Sequence, residues 1–268
     1  MQTQLFDLTG KVAVVTGGAS GIAQAIALGF AGQGADVAVA DINDAGVAET
    51  CAQISALGRR AMPAHCDISK AEEVAALFAK VDEIFGRVDI LLNAPYIGAK
   101  KKPEDLALED WNRVLTVCLT GYFLCSQAAG RRMIKQGSGG SIINISSIAG
   151  SLALGRGNLP YSVAKGGINQ MTRELATEWA RHNIRVNAIQ PSQTRSPSVR
   201  KWLDDPSIDP AFLGHLLKGI PMNRFGEPAD MVGPAIFLAS PASGYVTGVL
   251  LPVDGGNLAM NAGGSHLW

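Results

Sequence analysis

Lys11-Val12-Ala13-Val14-Val15-Thr16-Gly17-Gly18-Ala19-Ser20-Gly21-Ile22-Ala23 decides the fold. A short β-branched run, 11–16, meets a glycine-rich turn, and a helical period takes over through 21–33. Glycine lets a chain turn tightly and brings its backbone close to a bound group. A helix N-terminus behind such a turn offers free N–H groups and the positive end of a dipole.

Working outward, the alternation continues. Strands are expected at 37–40, 60–65, 88–92, 141–146 and 184–190, as short continuous runs of Val, Ile, Leu and Ala rather than alternating patterns. Helices are expected at 44–57 and 70–85, as one long helix over 110–135, and at 159–182. Repeated strand–helix–strand units imply a parallel sheet covered on both faces. The prediction is an α/β, single-domain, Rossmann-type doubly wound fold over residues 1–268. After 190 the pattern breaks into a proline-, serine- and charge-rich stretch, 191–221, read as an irregular lid over a substrate. A helix at 227–240 and a strand at 248–253 close the chain.

The 268 residues include 23 Lys plus Arg and 23 Asp plus Glu, so the balanced charge argues against nucleic acid or an anionic membrane as main partner. No apolar run is long enough to span a bilayer. The four cysteines, Cys51, Cys66, Cys118 and Cys125, form no Cys-x-x-Cys pair and have no histidine at metal-ligand spacing. A reduced, cytoplasmic setting and no metal are expected.

Further along stands Tyr161-Ser162-Val163-Ala164-Lys165. Residues four apart share a helix face. A free phenol titrates near ~10 and is a poor base at neutral pH. A cation alongside favours the phenolate, so the pair describes a general acid/base for a hydroxyl or carbonyl oxygen. Asp41 ends the second strand, about twenty residues beyond the glycines, where a carboxylate accepts hydrogen bonds from ribose hydroxyls and repels a 2′-phosphate. No basic residue stands at Ala19, Ser20, Ile42 or Asn43, so NAD is expected rather than NADP. The alternative for Asp41 is an N-cap on the following helix.

Five segments together resemble the short-chain dehydrogenase/reductase family across essentially the whole chain. They are the Thr16/Gly17/Gly21 turn, Asn144-Ile145-Ser146-Ser147 with Tyr161 and Lys165, Arg185-Val186-Asn187-Ala188-Ile189-Gln190-Pro191, Arg224-Phe225-Gly226-Glu227-Pro228, and Val253-Asp254-Gly255-Gly256. The resemblance implies that Ser147 hydrogen-bonds the substrate oxygen, with Ser146 the weaker candidate. It implies that Tyr161 takes the proton as hydride leaves for nicotinamide, on the pro-S face. Lys165 would lower the tyrosine's pKa and hold the nicotinamide ribose. Cofactor contacts would come from Gly17, Ser20, Gly21, Ile22 and Asp41, from Asp67 and Ile68 beside the adenine, and from Asn93 and Ala94 at the adenosine ribose. Pro191, Thr194 and Ser196 would grip the carboxamide. A homotetramer, built on the 110–135 and 159–182 helices and the last strand, is implied as well, with the tail 257–268 reaching a neighbour or fraying.

The chain also departs from the family. Ala23 replaces a third glycine, and Ser192 a glycine after Pro191. Asn93-Ala94-Pro95-Tyr96 stands where Asn-Asn-Ala-Gly is usual, and Tyr96 could narrow the substrate pocket. Cys118 occupies the place of an asparagine whose carbonyl serves a proton path, which puts the local helix kink in doubt. Around the expected pocket lie Arg156, Asn158, Arg195, Arg200, Lys201 and the run Lys100-Lys101-Lys102. Guanidinium forks suit acidic oxygens. The expected activity is NAD-dependent interconversion of a secondary alcohol and a ketone or lactone on a sugar, polyol or sugar acid. Two other readings stay open: a 3-oxoacyl thioester reductase, and a non-catalytic dinucleotide-binding scaffold.

Overall fold

The computed structural model describes residues 5–260 except 204, 206 and 207, so the expectation for the tail falls largely outside the described residues. Seven strands are formed: β1 (Val12–Thr16), β2 (Asp36–Asp41), β3 (Ala61–His65), β4 (Ile90–Asn93), β5 (Gly140–Ile145), β6 (Ile184–Pro191) and β7 (Leu250–Val253). They pair in the order β3-β2-β1-β4-β5-β6-β7, each pairing parallel. The helices are α1 (Gly21–Gly32), α2 (Asp44–Ala56), α3 (Ala71–Phe85), α4 (Leu108–Leu115), α5 (Gly121–Gln136), α6 (Leu159–Trp179), α7 (Pro197–Leu203), α8 (Pro210–Lys218) and α9 (Val232–Ala239).

Side-chain alternation along a strand feeds two cores. Ala13 and Val15 of β1 pack with Ile26 and Phe30 of α1, Ile54 of α2 and Leu238 of α9. Val12 and Val14 pack on the other face with Phe78 of α3, Met133 of α5 and Ile168 of α6. Because both faces are covered, β1 is buried at every position, which is why it reads as an unbroken apolar run. Edge strand β3 instead alternates, Met62 and Ala64 buried and Pro63 and His65 exposed. Proline is tolerated there because an edge has N–H positions that need no partner.

The sheet order reverses between β1 and β4, and ligands of open α/β sheets bind beyond the strand ends at such a point. Thr16 and Asn93 are direct neighbours there. A chain of buried polar groups ties these ends together. Asn93 Nδ2 donates to Asn144 Oδ1 at 3.0 Å and to Ser126 Oγ at 3.1 Å, and Asn144 Nδ2 donates to Thr172 Oγ1 at 3.0 Å.

Two elements differ from the expectation. The long helix is divided by a π-turn over Thr116–Thr120, between α4 and α5. So the α-helical hydrogen-bond pattern is interrupted at Cys118 although the asparagine is absent. The stretch 191–221 is not irregular: it holds α7 and α8, each beginning at a proline. Proline suits the first helical position, where its missing N–H has no intrahelical use. Asp209 completes the start of α8 by accepting the Ala211 N–H at 2.8 Å.

Candidate active site

The glycine turn is anchored to β2. The Gly17 and Gly18 N–H groups donate to the Ala40 carbonyl at 2.8 and 3.2 Å. Gly17 and Gly21 adopt φ of 75° and 62°, in the left-handed region where a side chain is strained. A Cβ on Gly17 would lie 2.8 Å from Pro95 N, which keeps the turn against the end of β4. Ser20 precedes α1 as an exposed residue without capping it through its side chain, so the first N–H groups of α1 are not taken up by its hydroxyl. This cradle fits a pyrophosphate, with Ile22 half-buried behind it.

Asp41 is half-buried at the end of β2. Its Oδ2 accepts the Ala19 N–H at 3.2 Å and its Oδ1 accepts the Asn43 N–H at 3.1 Å. The N-cap of α2 is Asn43, whose side chain accepts from Gly46 N–H, so the capping alternative for Asp41 does not hold. Asp67 follows β3, its carboxyl kept below the ordinary carboxylate range chiefly by the Ser69 hydroxyl, 2.6 Å from Oδ1. Ile68 is buried against Gly121, where a Cβ would come within 2.7 Å of Ile68 Cδ1. Asn93 turns its side chain into the polar chain between strands rather than outward, leaving Ala94 beside Gly17 at the crevice.

Ser147 and Tyr161 meet where β5 ends and α6 begins. The Ser147 hydroxyl acts on the phenol, tending to lower its pKa, and Ser147 Oγ accepts the Ala149 N–H at 3.1 Å. Ser146 is directed elsewhere, donating to Asn169 Oδ1 at 2.6 Å. The two serines are thereby told apart, and Ser147 is the one beside the phenol. Lys165 lies under the Tyr161 ring, its Nζ 5.5 Å from the centroid.

The electrostatics correct one expectation. Tyr161 is raised above its ordinary range, because loss of hydration outweighs the lowering by Ser147. Lys165, 1% exposed, is brought down to about 8 by burial. Its ammonium is turned to the Ile145 carbonyl at 2.6 Å and the Tyr122 hydroxyl at 3.2 Å. Proximity on one helix face is present, but desolvation dominates both groups.

Tyr96 packs edge-on against Tyr161, with centroids 6.0 Å apart and an interplanar angle of 75°. The loop carrying it runs beside the loop ahead of α6: Lys101 N–H donates to the Gly157 carbonyl at 2.9 Å. Asn158 faces Gly98, and its buried Oδ1 accepts no hydrogen bond among the described residues. Arg156 is partly desolvated, which lowers its pKa, and its Nη2 donates to the Gln193 side-chain oxygen at 2.7 Å once that amide is oriented to accept. Arg195 and Arg200 are otherwise engaged. Both approach Glu227, at 3.8 and 2.9 Å, and Arg195 stacks over Phe225. Arg195 and Arg200 are thus drawn to Glu227, whereas Arg156 is tied to Gln193.

In the segment after β6, Pro191 ends the strand, and Thr194 is buried and bridges to Gly226. Ser196 and Pro197 rest over Gly21, where a Cβ would meet Pro197 Cδ at 3.2 Å. Ser192 Oγ donates to the Asp254 carbonyl at 3.1 Å. A cavity of about 350 Å³ opens beside these residues, with Met222, Arg224 and Gly255 in its wall; Ser147, Tyr161 and Lys165 do not line it. Two residues of the site escaped sequence reading. Tyr122 is buried and Gln193 carries no motif; only the position of Tyr122, one helical turn after Cys118, marks its phenol as needing a partner. All four cysteines are free and buried.

A doubly wound parallel sheet with a glycine turn at its reversal point, and a serine–tyrosine–lysine set at the next strand end, defines an oxidoreductase built on a dinucleotide-binding fold. A family model described as Enoyl-(Acyl carrier protein) reductase matches residues 17–257. The chain belongs to the short-chain dehydrogenase/reductase family. It is 39% identical over 254 residues to a 2-dehydro-3-deoxy-D-gluconate 5-dehydrogenase of Escherichia coli (strain K12), covering 95% of this chain and 98% of that one. It is 38% identical over 252 residues to an NAD-dependent glycerol dehydrogenase of Listeria innocua serovar 6a, covering 94% and 95%. The crystal structure of a gluconate 5-dehydrogenase from Burkholderia cenocepacia J2315, in complex with NADP and tartrate, superposes with a TM-score of 0.91 at 32% identity, covering 97% of this chain and 100% of that one.

Proposed function

We propose that the protein is an NAD-dependent dehydrogenase that interconverts a secondary alcohol and a ketone or lactone on a sugar acid or polyol. The observation that carries this reading is the Tyr161 phenol set between Ser147 and Lys165, with the ammonium 5.5 Å from the ring centroid. The dinucleotide would supply the hydride acceptor, held by the glycine turn, Asp41, Asp67, Ile68, Ala94 and the 191–196 segment. Ser147 orients the substrate oxygen and Tyr161 exchanges its proton. The desolvated phenol holds its proton in the resting site, so Lys165 must remain cationic for Tyr161 to act as a base during oxidation. Tyr96 and Asn158 form the wall opposite, and Arg156 offers a fork for an acidic substituent.

NAD is supported by the carboxylate of Asp41 beside Ala19, which would oppose a 2′-phosphate. The related glycerol dehydrogenase is NAD-dependent by name, and the gluconate 5-dehydrogenase structure contains NADP. Sheet continuity from β1 to β7 favours one catalytic domain. Exposed Phe123 and Ile134 on α5 and Val163 on α6 are the support for a homotetramer. The free cysteines favour a reducing, cytoplasmic setting.

The test is absorbance of the reduced nicotinamide with NAD or NADP and a panel of gluconate-type acids, polyols and a model oxoacyl thioester. Turnover of an acid or polyol with NAD is expected. Turnover of the thioester alone would replace the reading, and dinucleotide binding without turnover of any compound would leave a scaffold.

A further inference from the structure

Tyr122 is fully buried in α5, on the sheet face opposite α1. Its hydroxyl stands at the centre of three partners. It accepts from Lys165 Nζ at 3.2 Å and lies 3.0 Å from the Pro95 carbonyl and 3.2 Å from the Ile145 carbonyl. A phenol has one hydrogen and can also accept. Donation to either carbonyl leaves a lone pair for the lysine. Lys165 Nζ in turn donates to the Ile145 carbonyl at 2.6 Å and stands 4.9 Å from the Tyr122 ring centroid. The buried cation thus rests on one carbonyl and one phenol.

The same helix braces the loop after β4 a second time. Cys118, one turn before Tyr122, places its Sγ 3.3 Å from Ile97 N and 3.4 Å from Ile97 O. The unusual residues of that loop, Pro95 and Tyr96, and the unusual Cys118 therefore belong to one packed unit whose hub is the Tyr122 hydroxyl.

We propose that Tyr122 is a positioning residue that orients the Lys165 ammonium and keeps it charged beneath Tyr161. The proposal rests on the assignment of Tyr161 as acid/base. A buried cation that loses an acceptor shifts toward its neutral form. Neutral Lys165 would no longer favour the Tyr161 phenolate, so the loss is transmitted to the phenol that meets substrate. The titratable groups facing the ammonium are Tyr161 from α6, Tyr122 from α5 and Cys118 from the π-turn; Cys125 of α5 stands behind Tyr122, and Tyr96 of the loop after β4 stands beside Tyr161.

The experiment uses the full chain labelled with 13Cε-lysine and 13Cζ-tyrosine, with Lys165→Met and Tyr122→Phe used to assign the two signals. In the unmutated protein, the Tyr122 ζ-carbon shift is expected to follow the Lys165 titration, near pH 8. In Y122F, which keeps the ring, the Lys165 midpoint is expected to fall by about half a unit or more. The acid limb of the oxidative kcat profile should then move to higher pH and kcat should drop about tenfold, with dinucleotide Kd within about twofold. A Tyr122 signal indifferent to Lys165 titration overturns the proposal, as does a Y122F protein whose lysine midpoint and pH profile match the unmutated ones. Should Y122F fail to fold, the Tyr122 signal is assigned by elimination with Tyr96→Phe, Tyr161→Phe and Tyr245→Phe, and its response to pH in the unmutated protein then decides alone. Absence of turnover by the unmutated protein would count against the proposed activity, while the NMR titration still reads the Tyr122–Lys165 contact.

Discussion

The Lys165 ammonium is bound to the main-chain carbonyl of Ile145 across a 2.6 Å hydrogen bond, joining the middle of the catalytic helix to the last residue of β5. Burial brings this lysine down to about 8 from 10.5. Between those values the unfolded chain binds the proton that the folded chain has released, so this group makes stability rise with pH. Its destabilising effect is complete below pH 8 and fades as pH approaches 10.5. Cys66 and Cys125, raised by burial, act in the opposite sense, because the unfolded thiol ionises first. The informative quantity is therefore the difference from Lys165→Met. From pH 7 to 10 the unmutated protein should gain about 2–3 kcal/mol on the variant in urea unfolding, and a constant difference would contradict the buried cation.

Tyr161→Phe removes the hydroxyl that meets Ser147 and leaves the ring against Tyr96. Turnover is expected to fall by about 10²–10⁴-fold, the range for a lost general acid/base, with dinucleotide binding retained by fluorescence titration. Because Tyr161 is raised above its ordinary range, oxidation should quicken as pH rises, and reduction should not.

Asp41→Asn keeps an acceptor for the Ala19 and Asn43 N–H groups and removes the charge. The kcat/KM ratio of NAD to NADP is expected to fall by about tenfold or more, equivalent to about 1.4 kcal/mol of lost discrimination. An unchanged ratio would place cofactor choice outside β2.

Arg156→Leu should raise KM for an anionic sugar acid by about tenfold and leave a neutral polyol within about twofold. Gln193→Leu, which removes the partner of the guanidinium, separates substrate recognition from a tie between the two loops: an equal loss for acid and polyol in both variants would favour the tie. Steady-state kinetics on the paired substrates provides the comparison.

The periodicity of the chain predicts the sheet well because parallel strands buried on both sides must be continuously apolar, as β1 is. It predicts the two chain-terminal halves of the site less evenly. Gly17 and Gly21 announce themselves, since their backbone angles admit few other residues. Ser147, Tyr161 and Lys165 are readable by order and spacing, yet the phenol's elevation is not, because hydration loss depends on every neighbour at once. Pro197 and Pro210 look like loop residues in sequence and start helices in space. Tyr122 and Gln193 are legible only through contacts distant in the chain, to Lys165 and Arg156. Arg195 illustrates the converse: a basic residue at a promising position is turned aside by Glu227, thirty-odd residues on.

Ser196 and Pro197 lean on Gly21, the glycine that opens α1. The surface offered to a pyrophosphate is the one on which the segment after β6 rests. A dinucleotide entering that cradle would therefore meet this segment first, and a substrate held against the segment would follow it. The expected kinetic consequence is ordered addition with the nucleotide leading, which product inhibition would read as competition between the reduced and oxidised nucleotides and none between the ketone and the oxidised nucleotide.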